Sequence, residues 1–260
     1  MINQLRAQLY MVRHGLTVPL CLLACAVAAA FYMVLQHQLA TGSLGPAEAN
    51  GVAGLSDVML VSLLGSLIYG AVVSLPFETR SVHNALLAAD RATFVTATMV
   101  IAALAVTALS LPYGLAALLA RATGEDFTPA VPTPFSALAA QTGELTGSEV
   151  GAIITVTLTS AVLTAAKLSV CLPLAFWLKR PLVVMAAGFA WGFVADLLGG
   201  AAADAAGLDV LVRLTPFSSE HTPAPGSTGG EMLAAVAVSL VFLALMGLAS
   251  WLVLRRADIK

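Results

Sequence analysis

The chain has 260 residues, 59% of them apolar and only 10% charged, where an ordinary soluble domain carries about 25% charged residues. This composition excludes a conventional soluble enzyme, and nothing in it points to nucleic acid as a partner. The three cysteines, Cys21, Cys25 and Cys171, all fall in apolar stretches, so no disulfide scaffold is expected.

Residues 1–14 place Ile2, Leu5, Leu9 and Val12 at helical spacing, with Asn3, Gln4, Arg6, Gln8 and Arg13 on other faces. This pattern predicts a short amphipathic helix lying on a membrane surface. Six apolar stretches follow, over 16–35, 58–75, 94–119, 150–178, 181–198 and 232–254. Each is about as long as a helix must be to cross a hydrocarbon layer of ~30 Å at a rise of ~1.5 Å per residue. A bilayer offers no water to backbone groups, so the stretches are expected to be helices. The fold class predicted is an all-α polytopic membrane protein with six transmembrane helices in one domain, 1–260. Leu22-Leu23-Ala24-Cys25 resembles a lipoprotein cleavage box, but the apolar run continues past it, which argues against cleavage.

Charge is distributed by side. Arg6, Arg13, Arg80, Arg91, Lys179, Arg180, Arg255, Arg256 and Lys260 flank one set of span ends, with Arg121 and Arg213 opposite. The acids Glu48, Asp57, Glu125, Asp126, Glu144, Glu149, Asp204, Asp209, Glu220 and Glu231 mirror them. Positive charge marks the cytoplasmic face, which predicts both termini inside.

Between the spans, 36–57 reads as a plain connector. Residues 78–91 mix Glu78, Arg80, His83, Asn84 and Arg91 with Val82, Ala85, Leu86 and Leu87, the pattern of an amphipathic inner helix that rests on lipid or docks in a partner's groove. Pro112 is expected to kink or end the third span. Residues 121–149 read as an outer loop without helical period. Lys179-Arg180-Pro181 joins spans four and five as a tight hairpin. Residues 199–214 are rich in small residues and too short to cross, so they are read as an outer re-entrant segment, and 216–230 as an exposed tether.

No P-loop, H-E-x-x-H or G-x-S-x-G pattern is present, and the four histidines lie in different segments. Neither a catalytic nor a metal site is assigned. Two charges fall within spans, Lys167 in the fourth and Asp196 in the fifth, and intramembrane charges are functional candidates by default. Lys167 stands nearer the midplane; the two either pair across the hairpin or lie separately, the lysine snorkelling and the aspartate at the interface. Thr157, Ser160, Thr164, Lys167 and Cys171 share one helical face, either a substrate path or plain packing. Gly188, Gly192, Asp196 and Gly199 share another, whose G-x-x-x-G suits close packing on a helix or a second copy of the chain.

The order of parts resembles the permease subunits of type-2 ATP-binding-cassette exporters. Phe77–Arg91 carries the most specific likeness, with Glu78 after span two, Asn84-Ala85-Leu86-Leu87 in the centre and Arg91 at the close. Ser81 or Val82 stands where that family's pattern has glycine. Leu214-Thr215-Pro216-Phe217-Ser218 is similar to a Pro-Phe-Ser element after the outer re-entrant segment. The resemblance implies a separate ATPase that binds ATP and Mg, this chain itself holding no cofactor. It also implies a second permease, identical or related, and a bacterial cytoplasmic membrane. Residues 78–91 become the coupling helix, Glu78, Arg80, His83, Asn84, Leu86, Leu87 and Arg91 its contact residues, and Gly188, Gly192 and Gly199 part of the seam between subunits. The implied cargo is a peptide, drug or other small amphiphile, as in lantibiotic-immunity permeases. Two other readings stay open: a stand-alone channel or secondary carrier, and a non-transporting scaffold or membrane enzyme.

Overall fold

The computed structural model describes residues 1–45, 48–78, 82, 90–143, 145–203 and 209–256; for residues 49, 50, 78, 196, 198–203, 209 and 211 the description covers the backbone alone. Among the described residues every regular element is helical.

Helix α1 (Ile2–His14) is followed after Gly15 by α2 (Thr17–Ala40), the first long apolar helix. A short helix, α3 (Ala49–Ala53), precedes α4 (Asp57–Glu78), and α5 (Arg91–Thr123) is the longest. Next come α6 (Pro134–Ala139), α7 (Gly147–Leu168), α8 (Cys171–Leu178) and α9 (Pro181–Ala203). A short α10 (Asp209–Arg213) and one turn of 3-10 helix at Ser219–His221 lead into α11 (Gly229–Arg256). Among the described residues five helical stretches are long and apolar enough to cross a membrane: α2, α4 with the residues before it from 51, α5, α7 with α8, and α11. That is the pattern of a multi-pass membrane protein. In α9 the described apolar stretch, Pro181–Ala195, is shorter, although the helix runs on to Ala203.

Small residues let these helices approach closely, as membrane helices require when lipid is as apolar as their own side chains. A β-carbon on Gly65 of α4 would stand 2.6 Å from Leu168 and 3.1 Å from Val106, so α4, α5 and α7 meet there. Gly114 of α5 fits directly against the Thr157 side chain of α7. One end of the bundle, the basic end, holds Arg91 against the Leu254 and Arg255 carbonyls, and the opposite, acidic end holds Glu125, Glu149 and Glu220, the last two paired with Arg121 and Arg213. At the basic end α1 packs on the start of α5, where the Gln8 amide donates to the Thr98 hydroxyl at 3.4 Å. Its buried face is Leu5, Gln8 and Val12, while Ile2, Leu9 and Tyr10 point outward. The amphipathic helix thus splits its apolar residues between protein and surroundings.

The structure corrects three readings of the sequence. Pro112 does not end α5, which is continuous for 33 residues. Residues 121–149 are not all loop: Thr133 and Ser136 form a capping box that starts α6, and Phe135 is buried against Tyr113, ring centroids 6.2 Å apart. The fourth span is two helices, not one. Pro173 lacks the N–H that would continue the ladder. At the break Ser169 N–H turns to the Ala166 carbonyl at 3.1 Å, and the Ser169 hydroxyl donates to the same oxygen at 2.6 Å. The Ala165 carbonyl, which a continuous helix would have bonded to Ser169, accepts the Tyr69 hydroxyl of α4 at 2.7 Å. As for the expected re-entrant segment, 199–203 continues α9 and 209–213 is helical, while 204–208 lie outside the described residues.

Tyr69 is wholly buried, so Tyr69→Phe would strand the Ala165 carbonyl where no water reaches it. A loss of about 1–3 kcal/mol is expected, read as a lowered unfolding midpoint of the purified chain in detergent, whereas Tyr10→Phe on the exposed face of α1 leaves the midpoint unchanged.

Candidate functional site

The break in the fourth span places Lys167 one residue from the end of α7, at the level where Leu168 meets Gly65, near the middle of α4. A helix C-terminus presents partial negative charge, which favours an ammonium in the last turn. Lys167 forms one wall of a cavity of about 90 Å³. Its other polar walls are Asp57 and Ser62 from α4, Ser110 from α5 and Thr164 from α7. Gly192 of α9 leaves a floor without a side chain, the nearest side-chain atom to its absent β-carbon being Ser62 Oγ at 4.0 Å.

Phe217 closes the cavity from the acidic end. Its ring lies 6.0 Å from the Lys167 ammonium, within cation–π range. It is held edge-on by Trp191 of α9 (centroids 6.2 Å) and Phe242 of α11 (5.7 Å). The segment Leu214–Ser218 therefore carries an aromatic roof over a polar chamber. The turn that aims it is tied by Thr215, whose hydroxyl donates to the Val212 carbonyl at 2.8 Å, and by the ion pair of Arg213 with Glu220 at 3.2 Å.

The polar stripe of the fourth span divides. Thr164 and Lys167 reach the cavity, whereas Thr157 packs into the Gly114 notch and Ser160 is buried, neither hydroxyl having a hydrogen-bond partner. Cys171 packs with Ser66 against Gly188. Gly188, read from the sequence as a subunit contact, thus faces α4 and α8 of its own chain, and Gly192 faces the cavity. Gly199 lies in the last part of α9. Asp196 stands one helical turn beyond Gly192 in α9. Of the residues expected in the coupling helix, Arg80, His83, Asn84, Leu86 and Leu87 lie outside the described residues, and Glu78 ends α4. Arg91, at the start of α5, is engaged within the chain: its guanidinium donates to the Leu254 and Arg255 carbonyls at 2.8 and 3.0 Å, capping α11. Beside it Asp90 is the N-cap of α5, its carboxyl held below the ordinary carboxylate range chiefly by the Thr93 side chain.

Sequence reasoning missed two features. One is a lateral groove of about 410 Å³ between α2 and α5, apolar through Ala30, Met33, Leu115 and Leu119. The His37–Glu125 pair closes its acidic end at 3.3 Å. The other is the burial of Asp57, which the charge pattern had placed with the outer acids; only 8% of it is exposed. Pro173 was the signal for the broken helix, and Tyr32 with Gln36 one turn later was the signal for polar material near Asp57. Arg121, also read as an outer-loop charge, is buried and ties α5 to the α6–α7 connection through the Gln141 carbonyl and Glu149.

Among the described residues no group of three His, Cys, Asp or Glu side chains gathers to hold a metal. The chemistry available in the cavity is binding: a cation, a carboxylate and three hydroxyls around a small volume under an aromatic roof. Comparison with family models, with curated proteins and with solved structures finds no match.

If Phe217 roofs the cavity, Phe217→Ala opens it. In a background with alanine at positions 21, 25 and 171, a cysteine introduced as Thr164→Cys is expected to react severalfold faster with a membrane-impermeant maleimide supplied at the acidic end once Phe217 is removed. An unchanged rate would show that the ring does not control access.

Proposed function

We propose that this chain is the membrane-spanning permease subunit of an ATP-binding-cassette exporter, working with a separate ATPase and with a second permease, identical or related. One observation carries this reading. The two helices that flank residues 79–90, α4 and α5, are also cavity walls, through Asp57 and Ser62 on the first and Ser110 on the second. A push on that connecting segment would act through two packed helices on the chamber itself. Arg91 extends the linkage, because it grips the end of α11, whose Phe242 touches the roof residue Phe217.

In this reading the chain crosses six times, by α2, α4, α5, the α7–α8 pair, α9 and α11. The basic end faces the cytoplasm of a bacterium, which puts both termini inside. Residues 78–91 form the coupling element, with Leu86 and Leu87 in the ATPase groove and Glu78, Arg80, His83 and Asn84 around them. Arg91 serves that element from behind, by fixing its end to α11. ATP and Mg belong to the partner, whose closure drives the change of access. The cargo class that suits a polar chamber beside an apolar lateral groove is an amphiphile: a peptide, a drug or a lipid-like molecule. Membrane lipid surrounds the outward-pointing side chains, among them Leu23, Phe31, Leu104, Leu182, Leu197 and Leu240.

The broken fourth span with a lysine at its break favours a second reading, since interrupted helices with ionisable groups at mid-depth also build secondary carriers. That reading predicts flux in liposomes from a gradient alone.

The exporter reading predicts that the chain, purified from its native membrane, brings an ATPase with it, and that Leu86→Asp with Leu87→Asp abolishes that association while the chain stays monodisperse. Retention of the ATPase by the double variant removes the docking role of 78–91, and gradient-driven flux by the isolated chain would favour the carrier.

A further inference from the structure

Near the acidic end, the core holds polar groups that the cavity chemistry does not use. Tyr32 and Gln36 stand one turn apart on the buried face of α2, and Ser56 and Asp57 begin α4 opposite them. The Tyr32 hydroxyl lies beside the Gln36 side chain and the Val131 backbone and close enough to Asp57 to sense its charge, while Thr133 of the α6 cap and the backbone of Asp57 and Val58 lie round the carboxylate. The wall behind them is fixed by Tyr113, which stacks edge-on to Tyr32 at 6.4 Å and donates to the Leu55 carbonyl at 2.8 Å. The Tyr32 hydroxyl, both head atoms of Gln36, the Ser56 hydroxyl and Asp57 Oδ1 are all buried with no hydrogen-bond partner. Tyr32, Gln36 and Ser56 are wholly inaccessible, and Asp57 is more than nine-tenths buried.

Polar atoms left unsatisfied in the core are costly. Four of these five are oxygens: one carboxylate, one amide carbonyl and two hydroxyls. Hard cations take such donors. A buried ionised carboxylate needs a compensating charge nearby. One negative charge among neutral oxygens matches a single positive charge; a divalent ion would leave the pocket with an excess charge in a medium of low dielectric. Asp57 also opens onto the 90 Å³ cavity, which supplies a route to the site.

We propose that Asp57, Gln36, Tyr32 and Ser56 form a binding site for a monovalent cation of sodium type, which joins the head of α4 to α2. Lys167 on the far wall of the cavity is the charged group that competes with such an ion for the carboxylate. The ion acts as a pin: when bound, it fixes the acidic end of one cavity-wall helix.

The test uses the full chain in detergent and sodium alone as probe, replaced by N-methylglucamine at constant ionic strength and pH. Sodium is expected to raise the unfolding midpoint by about 3 °C. Asp57→Asn abolishes that response, and Gln36→Leu raises the sodium concentration needed for half of it by severalfold. Should Asp57→Asn fail to fold, Tyr32→Phe, which keeps the ring packing, must weaken the response in the same way. Equal midpoints in sodium and N-methylglucamine overturn the site, as does an undiminished sodium response in the variants. A sodium-independent wild type whose midpoint falls in Lys167→Met would instead identify the lysine as the countercharge. None of these outcomes depends on an ATPase, so the site and the exporter reading stand or fall separately.

Discussion

A transmembrane helix can be interrupted only if each backbone group released at the break finds a new partner, and the arrangement at the centre of this bundle follows from that requirement. Pro173 removes one donor, and the ladder tightens over Ser169 and Leu172, whose N–H groups bond the Ala166 and Ser169 carbonyls at 3.1 and 2.9 Å. The carbonyl left over, that of Ala165, is taken by Tyr69 across the interface with α4. This side-chain bond ties α4 to α7 at the level of the break. There Leu168 meets Gly65, and the lysine one residue from the end of α7 opens into a chamber instead of packing against a wall. The new helix end also supplies the dipole that makes an ammonium tolerable at that depth.

Packing around this break relies on the absence of side chains. Gly65, Gly114 and Gly188 each receive a neighbour that no β-carbon would permit. Two of the notches are filled by polar side chains, Thr157 at Gly114 and Ser66 at Gly188. Ser66 keeps its hydroxyl satisfied by bonding back to the Ser62 carbonyl at 2.7 Å. Such contacts give van der Waals complementarity where no hydrophobic force separates helix from lipid. They differ in kind from α11, whose buried residues Met232, Ala235, Ser239, Leu243, Gly247, Ser250 and Leu254 form one narrow stripe while the rest faces outward. That helix is peripheral; Arg91 holds its basic end, and Phe242, near its middle, meets Phe217.

The long helices were legible because a twenty-residue apolar run has few alternatives in a bilayer, and polar residues extend some of their bounds: α2 continues through Gln36 and His37 to Ala40, and α5 begins at Arg91. The amphipathic α1 was legible from its period, though not its orientation, since only docking on α5 decides that Gln8 goes in and Leu9 goes out. Lys167 and Thr164 were legible as candidates for a polar path because a charge and a hydroxyl are anomalous in a span, whereas Gly192 read as a packing glycine. The chamber's other half was not. Ser62 and Ser110 are ordinary helix residues until α4 and α5 are brought together, and Asp57 sits at the sequence boundary where an acid is unremarkable. Its burial comes from α6, a six-residue helix folded over the bundle end, and nothing local in 121–149 announces that a proline-rich stretch will turn inward on Thr133 and Phe135.

The distribution of rigid and adjustable contacts bears on how such a bundle could move. Contacts at the basic end are directional: Arg91 on the last carbonyls of α11, Gln8 on Thr98, and Lys179 over the Phe77 ring at 5.1 Å. They couple helix ends to one another, so displacement of one is shared. At the roof the contacts are aromatic edges, Phe217 with Trp191 and Phe242, which lose little when they slide. A chamber with a stiff base and a sliding lid changes its opening more readily than its floor. The helices best placed to transmit such a change are α4 and α5, because each runs uninterrupted from the basic end to the cavity wall, whereas the fourth span is broken at the level where a push would have to pass.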